Sequence, residues 1–195
     1  MSAERIRRLA ADERLARHVG FWWGLAEGVA FFIVPDVYLS FAALFSLRAG
    51  AVTWLASIAG SLVAVLAIHL LTAVPGLDYL AFLESVPGIS SPLTQRVAEG
   101  LQTAGLPYTP FLVFGGVPLK LYCALAFSLG LSLGAVLLWT VFARIARIAP
   151  TFLLIAAVRL LFRHSIDSRP AAWSAMLAVC WIVFYAFYFE RMSRI

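Results

Sequence analysis

The chain has 195 residues, 63% apolar and 13% charged, with a formal net charge of +5 and a mean hydropathy of +0.92. Soluble domains run at about 45–50% apolar and about 25% charged, so the composition excludes a soluble globular protein and implies an all-α integral membrane protein. The length fits one membrane domain of about four or five segments, each of about 20 residues. The positive balance is arginine, Lys120 being the single lysine. No basic and aromatic stripe lies on a soluble surface, so nucleic acid is not the expected partner.

Residues 1–19 read as a cytoplasmic amphipathic helix. Arg5, Arg7, Arg8, Arg14 and Arg17 stand against Glu4, Asp12 and Glu13, while Ile6, Leu9 and Ala10 recur at helical spacing. An arginine excess beside the first apolar segment places this end in the cytoplasm. The mixed charge and the interruption at Glu27 speak against a cleaved signal peptide.

From Gly20 to Leu47 the chain is apolar, small or weakly polar except for Glu27 and Asp36, and Asp36 follows Pro35. A carboxylate at the bilayer centre costs a few kcal/mol at the least. Pro35 denies the carbonyl of Phe31 its helical donor, so an unbroken helix is not expected. On one straight helix the two acids would lie about 180° apart and roughly 13 Å along the axis. A break at Val34-Pro35 would let the chain fold back and bring both to one depth, as a re-entrant hairpin lining a polar cavity.

Arg48-Ala-Gly reads as a short turn. Ala51 to Thr72 reads as a spanning helix with His69 near its end, and Ala56 and Gly60 give a small-xxx-small packing spacing. Residues 74–110 are rich in proline and glycine. They read as a water-side connection holding one helix around Leu93 to Thr103, on the side opposite the N-terminus. Phe111 to Phe142 is apolar but interrupted by Gly115, Gly116, Pro118 and Lys120, which suggests a second re-entrant turn. Gly130 and Gly134 form a GxxxG spacing. Arg144 and Arg147 are three apart and share a helix face. Pro150 to Phe162 stays apolar, Arg163 to Pro170 reads as a polar loop, and Ala171 to Phe189 as a final span.

Each half opens with a proline-broken apolar segment and continues into a helix with small residues, so an inverted repeat is a candidate arrangement. Two topologies remain open. A single helix through Arg144 and Arg147, from about Leu133 to Phe162, makes the loop at Arg163 cytoplasmic and sets the C-terminus outside. A turn at those arginines sets it inside.

Four motifs in this order resemble the DedA superfamily, also called the VTT or SNARE-associated Golgi protein family. They are Glu27-x7-Pro35-Asp36, Gly60-Ser61, Pro118-Leu119-Lys120 followed by Tyr122, and Arg144-Ile-Ala-Arg147. The likeness covers roughly residues 20–165, leaving 166–195 as a C-terminal transmembrane helix and tail. Relatives often have more prolines in the first hairpin and arginine in place of Lys120. The resemblance implies two opposed re-entrant hairpins and movement of phospholipids or polyprenyl phosphates across a bacterial inner membrane, in some cases coupled to protons.

Glu27, Asp36, Lys120, Arg144 and Arg147 are accordingly the expected substrate or ion site. Buried charges persist when paired, and arginine's planar fork holds phosphate through two hydrogen bonds. The acids would neutralise the bases in the empty site, and protonating an acid would free a base for the ligand. The plainer alternatives stay open: helix caps or structural ion pairs for the acids, a snorkelling Lys120, and positive-inside arginines. An accessory or scaffold subunit of a larger membrane complex is the alternative function.

No enzyme activity, cofactor or metal is expected. His18, His69 and His164 are scattered, Cys123 and Cys180 are isolated, and there is no nucleophile–base pair or phosphate-cradling glycine loop. Membrane lipids are the expected partners, with protons and a second copy of the chain as candidates.

Overall fold

The computed structural model describes residues 3–106 and 117–192. Every regular element among them is an α-helix: α1 Ala3–Ala11, α2 Glu13–Val29, α3 Asp36–Phe45, α4 Leu47–Thr72, α5 Tyr79–Glu84, α6 Ser91–Ala104, α7 Leu119–Ser128, α8 Leu133–Leu161, α9 Arg163–Ser168 and α10 Pro170–Met192. Among these, α4, α8 and α10 are long and apolar enough to cross a bilayer, as the composition requires. The 26 residues of α4 rise about 39 Å, against a hydrocarbon core of about 30 Å. Helices α3 and α7 have 10 residues each and, at about 15 Å, are too short to cross. Pro107, Pro110 and residues 111–116, where the second break was expected to begin, lie outside the described residues.

The chain forms two interleaved compact units. The first comprises residues 1–22, 35–57 and 148–195. Helix α1 lays its apolar stripe into this unit's core: Ile6 and Ala10 pack with Ala43, Leu44 and Phe45 of α3, Ile155 of α8 and Ile166 of α9, ringed by Phe152, Trp173 and Leu177. Asp12 stops α1 and starts α2, because its carboxylate accepts the amides of Arg14 (2.9 Å) and Leu15 (3.1 Å), two of the donors left open at a helix start. Helix α2 then runs unbroken through residue 19, where the surface helix was expected to end. Ser46 is extended and its hydroxyl accepts the Ala49 amide at 3.2 Å. Arg48-Ala-Gly is therefore the first turn of α4, and the connection expected there falls at Ser46. Most of α10 is exposed along its apolar length, and Trp181 on it donates to Ser40 Oγ at 2.9 Å.

The second unit comprises residues 23–34 and 58–147. Here α6 presents Leu93, Val97 and Leu101, four residues apart, on its buried face, and packs on α7, as does α5. Helix α6 matches the expected helix around Leu93 to Thr103. Helix α5 was not expected, although Asp78 caps it by accepting the Ala81 amide at 2.9 Å. From Leu119 to Ala126 every residue of α7 is buried, the mark of a helix surrounded on all sides. Helix α8 passes through Arg144 and Arg147 without a turn, which selects the single-helix alternative; Pro150, inside it, removes the amide that Ala146 would otherwise bind.

Close packing follows a glycine spacing on α2. A side-chain carbon at Gly20 would meet the Thr53 carbonyl at 2.6 Å, and one at Gly28 would meet Ala64 Cβ at 2.4 Å. Between them Ser61 donates to the Gly24 carbonyl at 3.4 Å. The GxxxG spacing at Gly130 and Gly134 does something else. Gly130 adopts φ +80° just beyond α7, a left-handed residue ending a helix, and a side-chain carbon at either glycine would meet open space. Gly28→Ala should therefore destabilise the fold by about 1–3 kcal/mol through overpacking, whereas Gly134→Ala should not. Thermal unfolding of both variants in detergent checks this; equal midpoints would refute the assignment of the contact.

Candidate functional site

The break after α2 is where the polar chemistry collects. Helix α2 ends with Ala26 O accepting two amides, from Ala30 (2.9 Å) and Phe31 (2.8 Å). The next carbonyls have no helical donors, and irregular backbone in an apolar setting persists only where its polar groups are satisfied. Side chains of the second unit supply what is missing. Lys120 Nζ donates to the carbonyls of Glu27 (3.1 Å) and Phe31 (2.9 Å), Tyr79 Oη to Val29 (2.7 Å), and Trp23 Nε1 to Ile33 (2.9 Å). Thus alternate carbonyls of the break, at residues 27, 29, 31 and 33, are each capped. Phe31, whose helical donor would have been residue 35, has a proline there and takes the lysine instead. Burial pushes the Tyr79 phenol up, so it remains a donor across physiological pH.

The Glu27 carboxylate points the other way and forms an ion pair with Arg144 Nη2. A carboxylate in the last turn of a helix opposes the helix dipole; the arginine and the ammonium on its own carbonyl offset that cost. Relative exposures are 6% for Glu27 and 2% each for Lys120 and Arg144. Arg147, one turn beyond Arg144, is half-buried, and its charge acts on Glu27 together with those of Arg144 and Lys120. Arg144 Nε is buried and has no hydrogen-bond partner among the described residues. Such an atom is uncommon in native proteins.

Four of the five predicted site residues therefore come together in the second unit, as one carboxylate and three cations. Asp36 lies in the first unit. It is 3% exposed, stands at the first position of α3 after Pro35, where the helix dipole favours an acid, and accepts a hydrogen bond from Thr151 Oγ1 at 2.9 Å. Lys120 does not snorkel, since it is buried on backbone carbonyls. His69 packs against the Phe127 ring at 4.7 Å between centroids and has no part in the cluster. Among the described residues no group of three or more His, Cys, Asp or Glu side chains could hold a metal ion.

Tyr79 and Trp23 escaped the sequence reading. Tyr79 caps a carbonyl 50 residues away, for which no local signal exists. The glycines at 20, 24 and 28 were visible as a four-residue spacing, but they lay inside a segment read for its acids.

Breaking one partner of a buried pair strands the other charge. Glu27→Gln and Arg144→Gln should each destabilise by about 3–5 kcal/mol, and the double variant by less than their sum. Unfolding midpoints of the three variants decide this, and additive losses would show that the pair is not coupled.

In comparisons with protein-family models, curated proteins and solved structures, nothing matches the chain.

Proposed function

We propose that this protein translocates phosphorylated lipids across a bacterial inner membrane, as a phospholipid scramblase or polyprenyl phosphate flippase of DedA type. The observation that carries the reading is Arg144: fully buried, paired on one side with Glu27 and open at Nε. With Lys120 and Arg147 it gives three cations to one carboxylate. A phosphate oxygen is a good match for an arginine donor, and a guanidinium can hold phosphate at two points. The headgroup would displace Glu27 from Arg144, and a proton taken up by Glu27 would ease that exchange, coupling transport to pH.

The order and lengths of the elements fit two re-entrant hairpins. In the first half Pro35 precedes the ten-residue apolar helix α3, a one-residue connection and the long α4. In the second half Pro118 precedes the ten-residue α7, a short connection and the long α8. Discontinuous helices at corresponding positions of two repeats are where carriers place their substrate sites. The membrane orientation follows on the same reading. Helix α1, with Arg5, Arg7 and Arg8, shares its core with Ile155 near the end of α8 and Ile166 of α9. Arg163 and Arg169 flank α9, so this basic end is cytoplasmic and α10 carries the C-terminus outward.

Proteoliposomes containing a fluorescent phospholipid or a polyprenyl phosphate test the proposal at two pH values. Arg147→Gln leaves the Glu27–Arg144 pair in place and should slow translocation about tenfold, the value of one charge-assisted hydrogen bond. Glu27→Gln should abolish transport together with its pH response. A wild-type protein that moves neither lipid, or variants as active as wild type, would overturn it.

A further inference from the structure

Lys120 does something its neighbours show to be unnecessary for capping alone. Along the break, Val29 and Ile33 carbonyls are satisfied by neutral donors, the Tyr79 hydroxyl and the Trp23 indole. The Glu27 and Phe31 carbonyls instead receive a buried ammonium, although burying a charge costs far more than burying a hydroxyl. Two features offset part of that cost. The negative end of the α2 dipole lies at these carbonyls, and the Glu27 carboxylate adds its field. Arg144 opposes the ammonium, but its guanidinium is bound to that carboxylate, and Arg147 is a helical turn further on and only half-buried.

Unwound carbonyls at a broken membrane helix are the kind of ligand set with which carriers hold a coupling cation. We propose that the carbonyls of Glu27 and Phe31 form a cradle for a small monovalent cation, and that the Lys120 ammonium is that cation, tethered to the chain. The charge that a sodium-coupled carrier must take from solution is here supplied by the chain itself. The site accordingly needs no alkali ion to hold the break of α2 in shape. This holds whether or not the cluster carries a lipid, so it stands or falls separately from the transport assay.

Chemical rescue tests it. Lys120→Ala is purified in detergent, and its unfolding midpoint is measured in methylammonium, potassium, sodium and tetramethylammonium chloride at one ionic strength. The wild type should be indifferent to the salt. The variant should be least stable in tetramethylammonium, which cannot donate a hydrogen bond. It should gain about 3–5 °C in methylammonium at a concentration about tenfold above its dissociation constant. Equal midpoints in all four salts, or the same salt response in wild type, would overturn the proposal. Should Lys120→Ala not fold, Lys120→Gln keeps a neutral donor near both carbonyls. The cradle requires it to be less stable than wild type and to regain stability in methylammonium, whereas a wild-type midpoint would show that a neutral cap suffices.

Discussion

The interior of this protein is organised around carbonyl groups that cannot be left bare. Ending α2 at Val29, within an apolar stretch, frees backbone acceptors whose exposure to hydrocarbon would cost several kcal/mol each. Three side chains from three places in the sequence (Trp23, Tyr79 and Lys120) meet that demand. The arrangement accounts for the position of α7. A helix buried along most of its length is needed to bring an ammonium to the end of another helix without water following it. It also accounts for a lysine in a chain whose other basic residues are arginines. A compact ammonium with three rotatable donors suits two separate carbonyls, whereas a planar fork suits one carboxylate, and that is how the arginine at 144 is used.

The Glu27–Arg144 pair has to be judged against this frame. A buried ion pair is poor evidence of stabilisation, since a well-packed apolar pair of similar volume is often as good. The stripe beside it already packs at backbone contact, with Gly28 against Ala64 and Ser61 on the Gly24 carbonyl. Stability alone therefore gives little reason to keep a carboxylate in the last turn of α2. An ionisable group within a membrane helix is by default a functional-site hypothesis, and among the described residues Arg144 Nε has no hydrogen-bond partner.

Much of this was legible in the sequence, and the reason differs by feature. The membrane class and the spans of α4 and α10 follow from apolar run lengths, which local composition reports directly. Pro35 announced a break because proline's missing amide is a local property. Helix α2 nevertheless ends six residues before Pro35, because the termination is set by the double acceptor at Ala26 and by caps contributed from α5 and α7. The connection before α4 was expected at Arg48-Ala-Gly, where a glycine suggests a turn, but it falls at the extended Ser46, whose hydroxyl accepts the Ala49 amide. The GxxxG spacing failed because it straddles a helix end, where a glycine serves a left-handed turn and not a contact. Glu27, Lys120, Arg144 and Arg147 stood out in the sequence as charge in apolar surroundings, and they lie together in one unit. Asp36 was grouped with them on the expectation that a fold-back at Pro35 would bring both acids to one depth, but it lies in the first unit and accepts a hydrogen bond from Thr151 of α8.

Two ten-residue helices, each following a proline, begin with opposite charge. After Pro35 the short helix α3 begins with an acid; after Pro118 the short helix α7 begins with Leu119 and a base. The end of α2 supplies the carbonyls and the carboxylate, and α7 and α8 supply the ammonium and the guanidinium that bind them. Lys120 is thereby committed to the backbone and Arg144 to the carboxylate. That division separates holding the break, which falls to Trp23, Tyr79 and Lys120, from neutralising the carboxylate, which falls to Arg144.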